Sequence, residues 1–293
     1  MVLRKRKINA FDVFNNIVLL ILGLSCIVPF ISVLAVSVSD KAAVAAGSIA
    51  ILPVGFTLDN YKYALSQVQF LHSMLNSVER VVLAVILNLA VSTIAAYPLS
   101  KKKGVFPGRS YFAWFFVVTM LVGAGMVPRF IIVDATHLRN TIWALVIPSA
   151  ANAFFITILL NFFRGIPEEL EESAFLDGAG HWTILLKIYV PLAIPAFITL
   201  IIYCVVGHWN EWFEGQVYMN QVKNYPLSSY LRGVVTTPNF GTLGIRTAME
   251  RMNINSRSFT AAQILIGTVP ILIMYPFLQR YFVKGMTLGS VKG

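Results

Sequence analysis

Apolar residues in this chain do not alternate with polar ones; they run together in long blocks. Six blocks carry no Asp, Glu, Lys or Arg and come close to or exceed the roughly 20 residues that a helix needs to cross a bilayer. They are residues 13–39, 81–100, 110–128, 140–163, 188–207 and 258–279. A membrane β-barrel would instead show segments of about ten residues that alternate apolar and polar. The pattern therefore predicts an all-α membrane protein with six transmembrane helices over residues 13–281, a polar lead at 1–12 and a tail at 282–293. Pro29, Pro148, Pro195, Pro270 and Pro276 fall inside these blocks, where a kink is tolerable if neighbours satisfy the freed carbonyls. Gly123, Gly125 and Pro128 close the third block, and a break or a close helix approach is expected there.

One dense polar stretch interrupts the apolar chain, at residues 168–191. Pro167 stands where a helix can begin without wasting an N–H, and Glu168, Glu169, Glu171 and Glu172 follow within two turns, at the positive end of the helix dipole. Gly178 and Gly180 relax the backbone, so the helix is expected to stop there and a second to run from Trp182 to Pro191. Four clustered glutamates fit poorly on an anionic lipid surface and fit a protein dock better.

Composition agrees with a membrane protein: of 293 residues 57% are hydrophobic and 12% charged. The net charge of +10 could suggest nucleic acid, but its placement reads as membrane topology and no nucleic-acid partner is expected. With the N-terminus inside, the inner segments hold Arg4, Lys5, Arg6, Lys7, Lys101, Lys102, Lys103, Arg109, Arg164, Lys187, Arg280, Lys284 and Lys292. The positive-inside rule then puts both termini and residues 168–191 in the cytoplasm, with basic residues of the lead held against lipid headgroups. Residues 129–139 read as a short external turn and 213–257 as an external docking segment. Cys26 and Cys204 read as small buried side chains, not as a disulfide or metal site. Asp134 and His137 fall short of a metal site, so none is expected.

Candidate chemistry is sparse. Asn152 is a lone amide in an apolar block, and Trp209 and Asn210 combine an aromatic face with an amide, as sugar binding does, so these three are the candidate substrate-pathway residues. No phosphate-binding Gly-rich loop or nucleophile motif occurs, so no catalytic residue is expected and ATP hydrolysis would have to come from another chain. None of the six blocks contains a charge, which argues against a self-contained ion-coupled carrier or channel, the alternative function; a third is a scaffold that only recruits a cytoplasmic partner.

The spacing of Glu172, Ser173, Ala174, Gly178, Ile188 and Pro191 resembles the EAA loop of binding-protein-dependent ABC importers, with Ser173 and Val190 as small departures from that pattern. Residues 56–61, Asn76-Ser77, residues 95–99 and residues 288–293 are similar to segments of the carbohydrate-uptake permeases, on the MalG-like side of the maltose importer. The resemblance implies a permease working with a second, MalF-like subunit, an ATPase homodimer and an extracytoplasmic solute-binding protein that delivers an oligosaccharide. ATP and Mg would be bound by the partner ATPase and no cofactor by this chain. Glu172, Ser173, Ala174, Asp177, Gly178, Ile188 and Pro191 would form the ATPase-coupling segment, and Gly289, Ser290, Val291, Lys292 and Gly293 would reach the ATPase interface. In the maltose system the sugar site belongs mainly to the other permease. The region 125–128 and the ending are similar to permeases for acidic or complex oligosaccharides such as alginate, and the basic residues of the outer segments suit an anionic glycan.

Overall fold

A computed structural model describes residues 10–236 and 255–289, with side chains for 11–236, 255–274 and 276. Among the described residues every regular element is helical. The helices are α1 (Ala10–Ser37), α2 (Lys41–Ala45), α3 (Asp59–Ser66), α4 (Val68–Ser100), α5 (Arg109–Leu121), α6 (Met126–Ala135), α7 (Trp143–Val146) and α8 (Ala153–Arg164). They continue with α9 (Glu168–Leu176), α10 (His181–Ile184), α11 (Val190–Leu192), α12 (Ile194–Asn210), α13 (Phe213–Tyr218), α14 (Leu227–Thr236) and α15 (Ser256–Gly289).

Three stretches are unbroken helices long and apolar enough to cross a membrane: Phe11–Ser37, Val68–Ser100 and Ser256–Met274. The other three expected spans are bent pairs, α5 with α6 at 112°, Trp143–Ser149 with α8 at 48°, and His181–Leu192 with α12 at 77°. Each bend has a local cause. Gly125 takes a φ of 77° between α5 and α6, Pro148 tightens the turn before α8, and Pro195 opens α12.

Two boundaries differ from the sequence expectation. Helix α4 begins at Val68, well before residue 81, and so includes Glu79 and Arg80. Arg129 to Ala135, expected as a turn, is helical within α6, where Asp134 takes a hydrogen bond from Arg139 at 3.0 Å. Cys204 is buried as expected, but Cys26 is exposed, because α1 is apolar around its whole circumference and shows its side chains outward. Such a helix is a membrane span rather than a soluble one.

The chain divides into two compact units. One holds α1 to α3 and the start of α15. There Asp40 caps α2 by accepting the Ala43 N–H at 2.7 Å, and the buried Asn60 amide donates to the Ser37 carbonyl at 2.8 Å. The Tyr63 and Phe259 rings meet at 5.2 Å. The Thr57 hydroxyl accepts the first free N–H of α3, that of Asp59, at 3.2 Å.

The second unit is built on α4. Its buried positions include Ser73, Ser77, Arg80, Ala84, Asn88, Ser92, Ala96 and Leu99, three or four residues apart and therefore on one face. Most are small or polar, so neighbouring backbones approach closely and hydroxyls reach across; Ser77 Oγ, for example, accepts the Leu227 N–H at 2.7 Å. Against the lower half of α4 pack Phe155, Leu159 and Phe163 of α8 with Ile184, Leu185 and Leu200 from the segments after α9. A smaller cluster joins Val133 to Leu145, Tyr218 and Met219.

Candidate functional site

The acidic stretch folds as a helix, a turn and a second helix. Pro167 precedes α9, and Glu168, Glu169 and Glu171 lie in its first turn. The helix ends as a Schellman motif: the Gly178 N–H donates to the Phe175 carbonyl at 3.0 Å and the Ala179 N–H to the Ala174 carbonyl at 2.9 Å. Gly178 has a φ of 83°, a left-handed conformation that favours glycine. Ala174 and Ala179, the pair such a motif brings together, both pack on the core, which explains a small residue at 174. Helix α10 starts at His181, one residue before the expected start, and Tyr97 Oη lies 3.1 Å from its Nδ1. Pro191 has no N–H to give the Lys187 carbonyl, and the preceding turn, Leu185–Tyr189, widens into a π-helix.

Beneath α9 lies a buried charge cluster. Lys101 Nζ donates to both Glu171 oxygens at 2.7 and 2.6 Å, and Tyr189 Oη donates to Glu171 Oε2 at 2.5 Å. The same ammonium sits 3.8 Å from the Tyr97 ring centroid and 4.2 Å from that of Tyr189. Burial lowers the Lys101 pKa and Glu171 pulls against that shift. Two neighbours add to the joint: Lys102 pairs with Glu168 at the surface, which raises the lysine pKa, and Arg109 donates to the Lys101 carbonyl. Helix α9 is thus clamped to the end of α4 and to the π turn.

The opposite side of this hairpin is uncovered. Glu172, Ser173, Asp177 and Gly178 are exposed, and so are Leu176 at 89% and Trp182 at 65%. Ile188 is half-buried against the core and Pro191 is exposed. The motif residues therefore divide: Glu172, Ser173, Asp177 and Gly178 face outward, whereas Ala174 and Ile188 hold the hairpin in place. Lys101, Glu171 and Tyr189 were not singled out from the sequence. Their only sign there was a lysine at the end of a span and one more glutamate beside Glu172.

A second charge pair lies along α4. Arg80, with a side chain 0% exposed, donates from Nη2 to Glu214 Oε2 at 2.5 Å and from Nη1 to the Glu211 carbonyl at 3.0 Å. Arg129 approaches the other Glu214 oxygen at 3.5 Å, and burial raises the Glu214 pKa while Arg80 opposes the shift. A buried charge thus exists within α4, one residue outside the charge-free block 81–100, and it is matched by a carboxylate. Of the pathway candidates, Asn152 caps α8 by accepting the Phe154 and Phe155 N–H groups at 3.0 and 3.3 Å, and it lines a cavity. Trp209 is buried and Asn210 donates back to the Val206 carbonyl at 2.9 Å; neither lines that cavity. Gly289 ends α15, and Ser290, Val291, Lys292 and Gly293 lie outside the described residues.

Residues 11–288 match the family of binding-protein-dependent transport system inner membrane components. The chain belongs to this family. It is a membrane-embedded permease subunit of a binding-protein-dependent ABC transporter. Over 291 residues it is 36% identical to the polygalacturonan/rhamnogalacturonan transport system permease protein YtcP of Bacillus subtilis (strain 168), covering 98% of this chain and 100% of that one. It is 38% identical over 285 residues to protein LplC of the same organism, covering 97% of this chain and 96% of LplC. Among solved structures it superposes with a TM-score of 0.90 at 30% identity on a chain of a bacterial ABC transporter involved in the import of the acidic polysaccharide alginate, covering 96% of this permease and 100% of that chain.

Proposed function

We propose that this permease carries oligosaccharides inward across the cytoplasmic membrane, as one of two permease subunits above an ATPase dimer that binds ATP and Mg. It performs no chemistry itself. The observation that carries this reading is the hairpin of α9 and α10, uncovered at Leu176, Asp177 and Trp182 yet clamped from below by the Lys101–Glu171 pair. A surface that presents both apolar and acidic side chains and is rigidly joined to a long helix suits a protein partner that pushes. Glu172, Ser173, Asp177 and Gly178 form the contact with the ATPase while Ala174 supports them from the core side, and the ending from Gly289 to Gly293 reaches its interface.

On this reading residues 13–281 form the membrane domain, with the hairpin and both termini cytoplasmic. A solute-binding protein delivers the sugar from outside. The substrate class is an acidic oligosaccharide, supported by the polygalacturonan named for one relative and the alginate named for the structural neighbour.

The test is made on the assembled importer in proteoliposomes. Glu172→Lys inserts and assembles normally but loses binding-protein-stimulated ATP hydrolysis and uptake, and unimpaired uptake would refute the docking role. Solute flux through the isolated chain would point instead to a self-contained carrier or channel. Uptake of neutral but not uronate oligosaccharides would overturn the acidic substrate class.

A further inference from the structure

Besides the cavity at Asn152, a larger one lies where α5 breaks from α6. It measures about 340 Å³, within the roughly 300–1,000 Å³ of small-ligand pockets. Gly123 and Met126 line it from the break, Phe213 and Val217 from α13, and two charged side chains reach it, Arg129 and Glu214. The bent pair of α5 and α6 passes as one membrane span, and an ionised side chain in such a span faces protein or a watery cavity rather than lipid. The Arg129 side chain is 50% exposed, so it lines the cavity as an accessible cation.

The charges here are unequally engaged. Glu214 Oε2 accepts from Arg80 at 2.5 Å, so its charge is met from inside the protein. Glu211, the other carboxylate near Arg80, caps α13 by accepting the Phe213 and Glu214 N–H groups at 2.8 and 3.1 Å, and it does not line this cavity. Arg129 makes one hydrogen bond among the described residues, to Glu214 Oε1 at 3.5 Å, longer than the usual ~2.7–3.2 Å. By contrast Arg139 is held by Asp134 at 3.0 Å and by Asn220 at 3.1 Å. A guanidinium carries five N–H donors in a planar fork that fits a carboxylate with two parallel bonds. Arg129 therefore has a fork to offer, and Phe213, 42% exposed in the same lining, has an aromatic ring against which the C–H face of a pyranose can lie.

We infer that this cavity is a subsite for the transported solute, in which Arg129 holds the carboxylate of a uronate ring and Phe213 covers the apolar face of that ring. The inference rests on the acidic-oligosaccharide reading above. On the topology proposed there, the break between α5 and α6 lies at the outer end of α5, where the binding protein releases its sugar. Two positions allow a test with little disturbance of the fold. Gly123 takes no left-handed φ and a Cβ there meets nothing within 4 Å, so a side chain can be built into the space. The Arg129–Glu214 contact is long and exposed on the arginine side, and such pairs add little stability.

Arg129→Lys, Gln and Glu and Gly123→Ala, Val and Leu are assembled into the complete importer in proteoliposomes. Initial uptake of a uronate oligosaccharide and the ATP hydrolysed are measured with a saturating loaded binding protein, and again with the same sugar after its carboxyls are reduced to alcohols. Arg129→Gln is expected to cut both uronate uptake and the sugar carried per ATP by about tenfold or more, the worth of one charge-assisted contact. Arg129→Glu should lose more and Arg129→Lys less, since lysine keeps the charge without the fork. Uptake should also fall stepwise with side-chain size at position 123. Unchanged uronate uptake in Arg129→Gln and Arg129→Glu, or equal uptake across the Gly123 series, would overturn the subsite. Hydrolysis that falls in step with uptake would overturn it too, as the mark of an arginine that only joins subunits. An equal fold-loss for the reduced sugar would overturn the carboxylate assignment. If the parent importer carries no oligosaccharide while its ATPase is active, the oligosaccharide reading itself fails and the subsite with it.

Discussion

The clamp under the hairpin makes the sharpest prediction. Replacing Lys101 by methionine keeps the length of the side chain and removes its charge. Lys101 and Glu171 are 8% and 11% exposed and 2.6 Å apart, so at an effective dielectric of ~20 their gross attraction is about 6 kcal/mol. Desolvation of both groups offsets much of that in the intact protein, but Lys101→Met leaves the Glu171 carboxylate buried without its cation, which typically costs about 3–5 kcal/mol. The Tyr189 hydroxyl still donates to Glu171, a bond worth about 1.5–3 kcal/mol, so the loss is expected at the lower end of that range. The double variant Lys101→Met/Glu171→Met removes both charges and should recover most of it, because two apolar residues need no partner. The assay is a double-mutant cycle on denaturant midpoints of the purified complex, with ATP hydrolysed per sugar transported as the functional readout. Hydrolysis should become uncoupled in both single variants, since α9 would no longer be tied to α4. Purely additive effects, or a Lys101→Met variant no more disturbed than Lys102→Ala at the exposed neighbouring pair, would refute the clamp.

Three further outcomes follow from the geometry. Asn152→Ala removes the cap of α8 and should cost about 1 kcal/mol by chemical denaturation, with aspartate at that position retaining most of the stability. Gly215→Ala should destabilise by about 1–3 kcal/mol or prevent assembly, because a Cβ there would lie 2.1 Å from Ser229 Oγ and 2.9 Å from Pro226 Cδ; yield and denaturant midpoint report it. Arg80→Met should lower stability by about 3–5 kcal/mol by leaving Glu214 buried without its main cation, and Arg80→Met/Glu214→Gln should restore most of the loss in the same measurement.

Much of the architecture could be read before any coordinates. An apolar run without charges has to be a helix in lipid, since no other local structure satisfies every backbone group, and that holds wherever the run sits in the fold. The hairpin was equally legible: Pro167, the first-turn glutamates and Gly178 act over a few residues, and Gly178 takes the left-handed φ of 83° that a Schellman turn uses. Helix breaks were visible only as opportunities. Pro29 lies within unbroken α1 and Pro98 within α4, whereas Gly125 and the segment around Pro195 mark sharp bends, because packing on either side decides whether a freed carbonyl is tolerated.

The charge pairs belong wholly to the tertiary structure. Lys101 and Glu171 are 70 residues apart and Arg80 and Glu214 are 134. In sequence Lys101 is one of three adjacent lysines, and Glu171 is one of four glutamates no different in kind from Glu172. Helical phase turns Glu171 inward and Glu172 outward, but which phase faces the core depends on the elements the helix meets. The same is true of Arg80, which falls outside any charge-free window yet inside α4, since the helix continues as long as its neighbours satisfy the side chains it buries. Local chemistry determined that this chain crosses a membrane and carries a helix–turn–helix hairpin at residues 168–191; only the packing of distant segments decided which charges that hairpin and the cavity beside Arg80 are built upon.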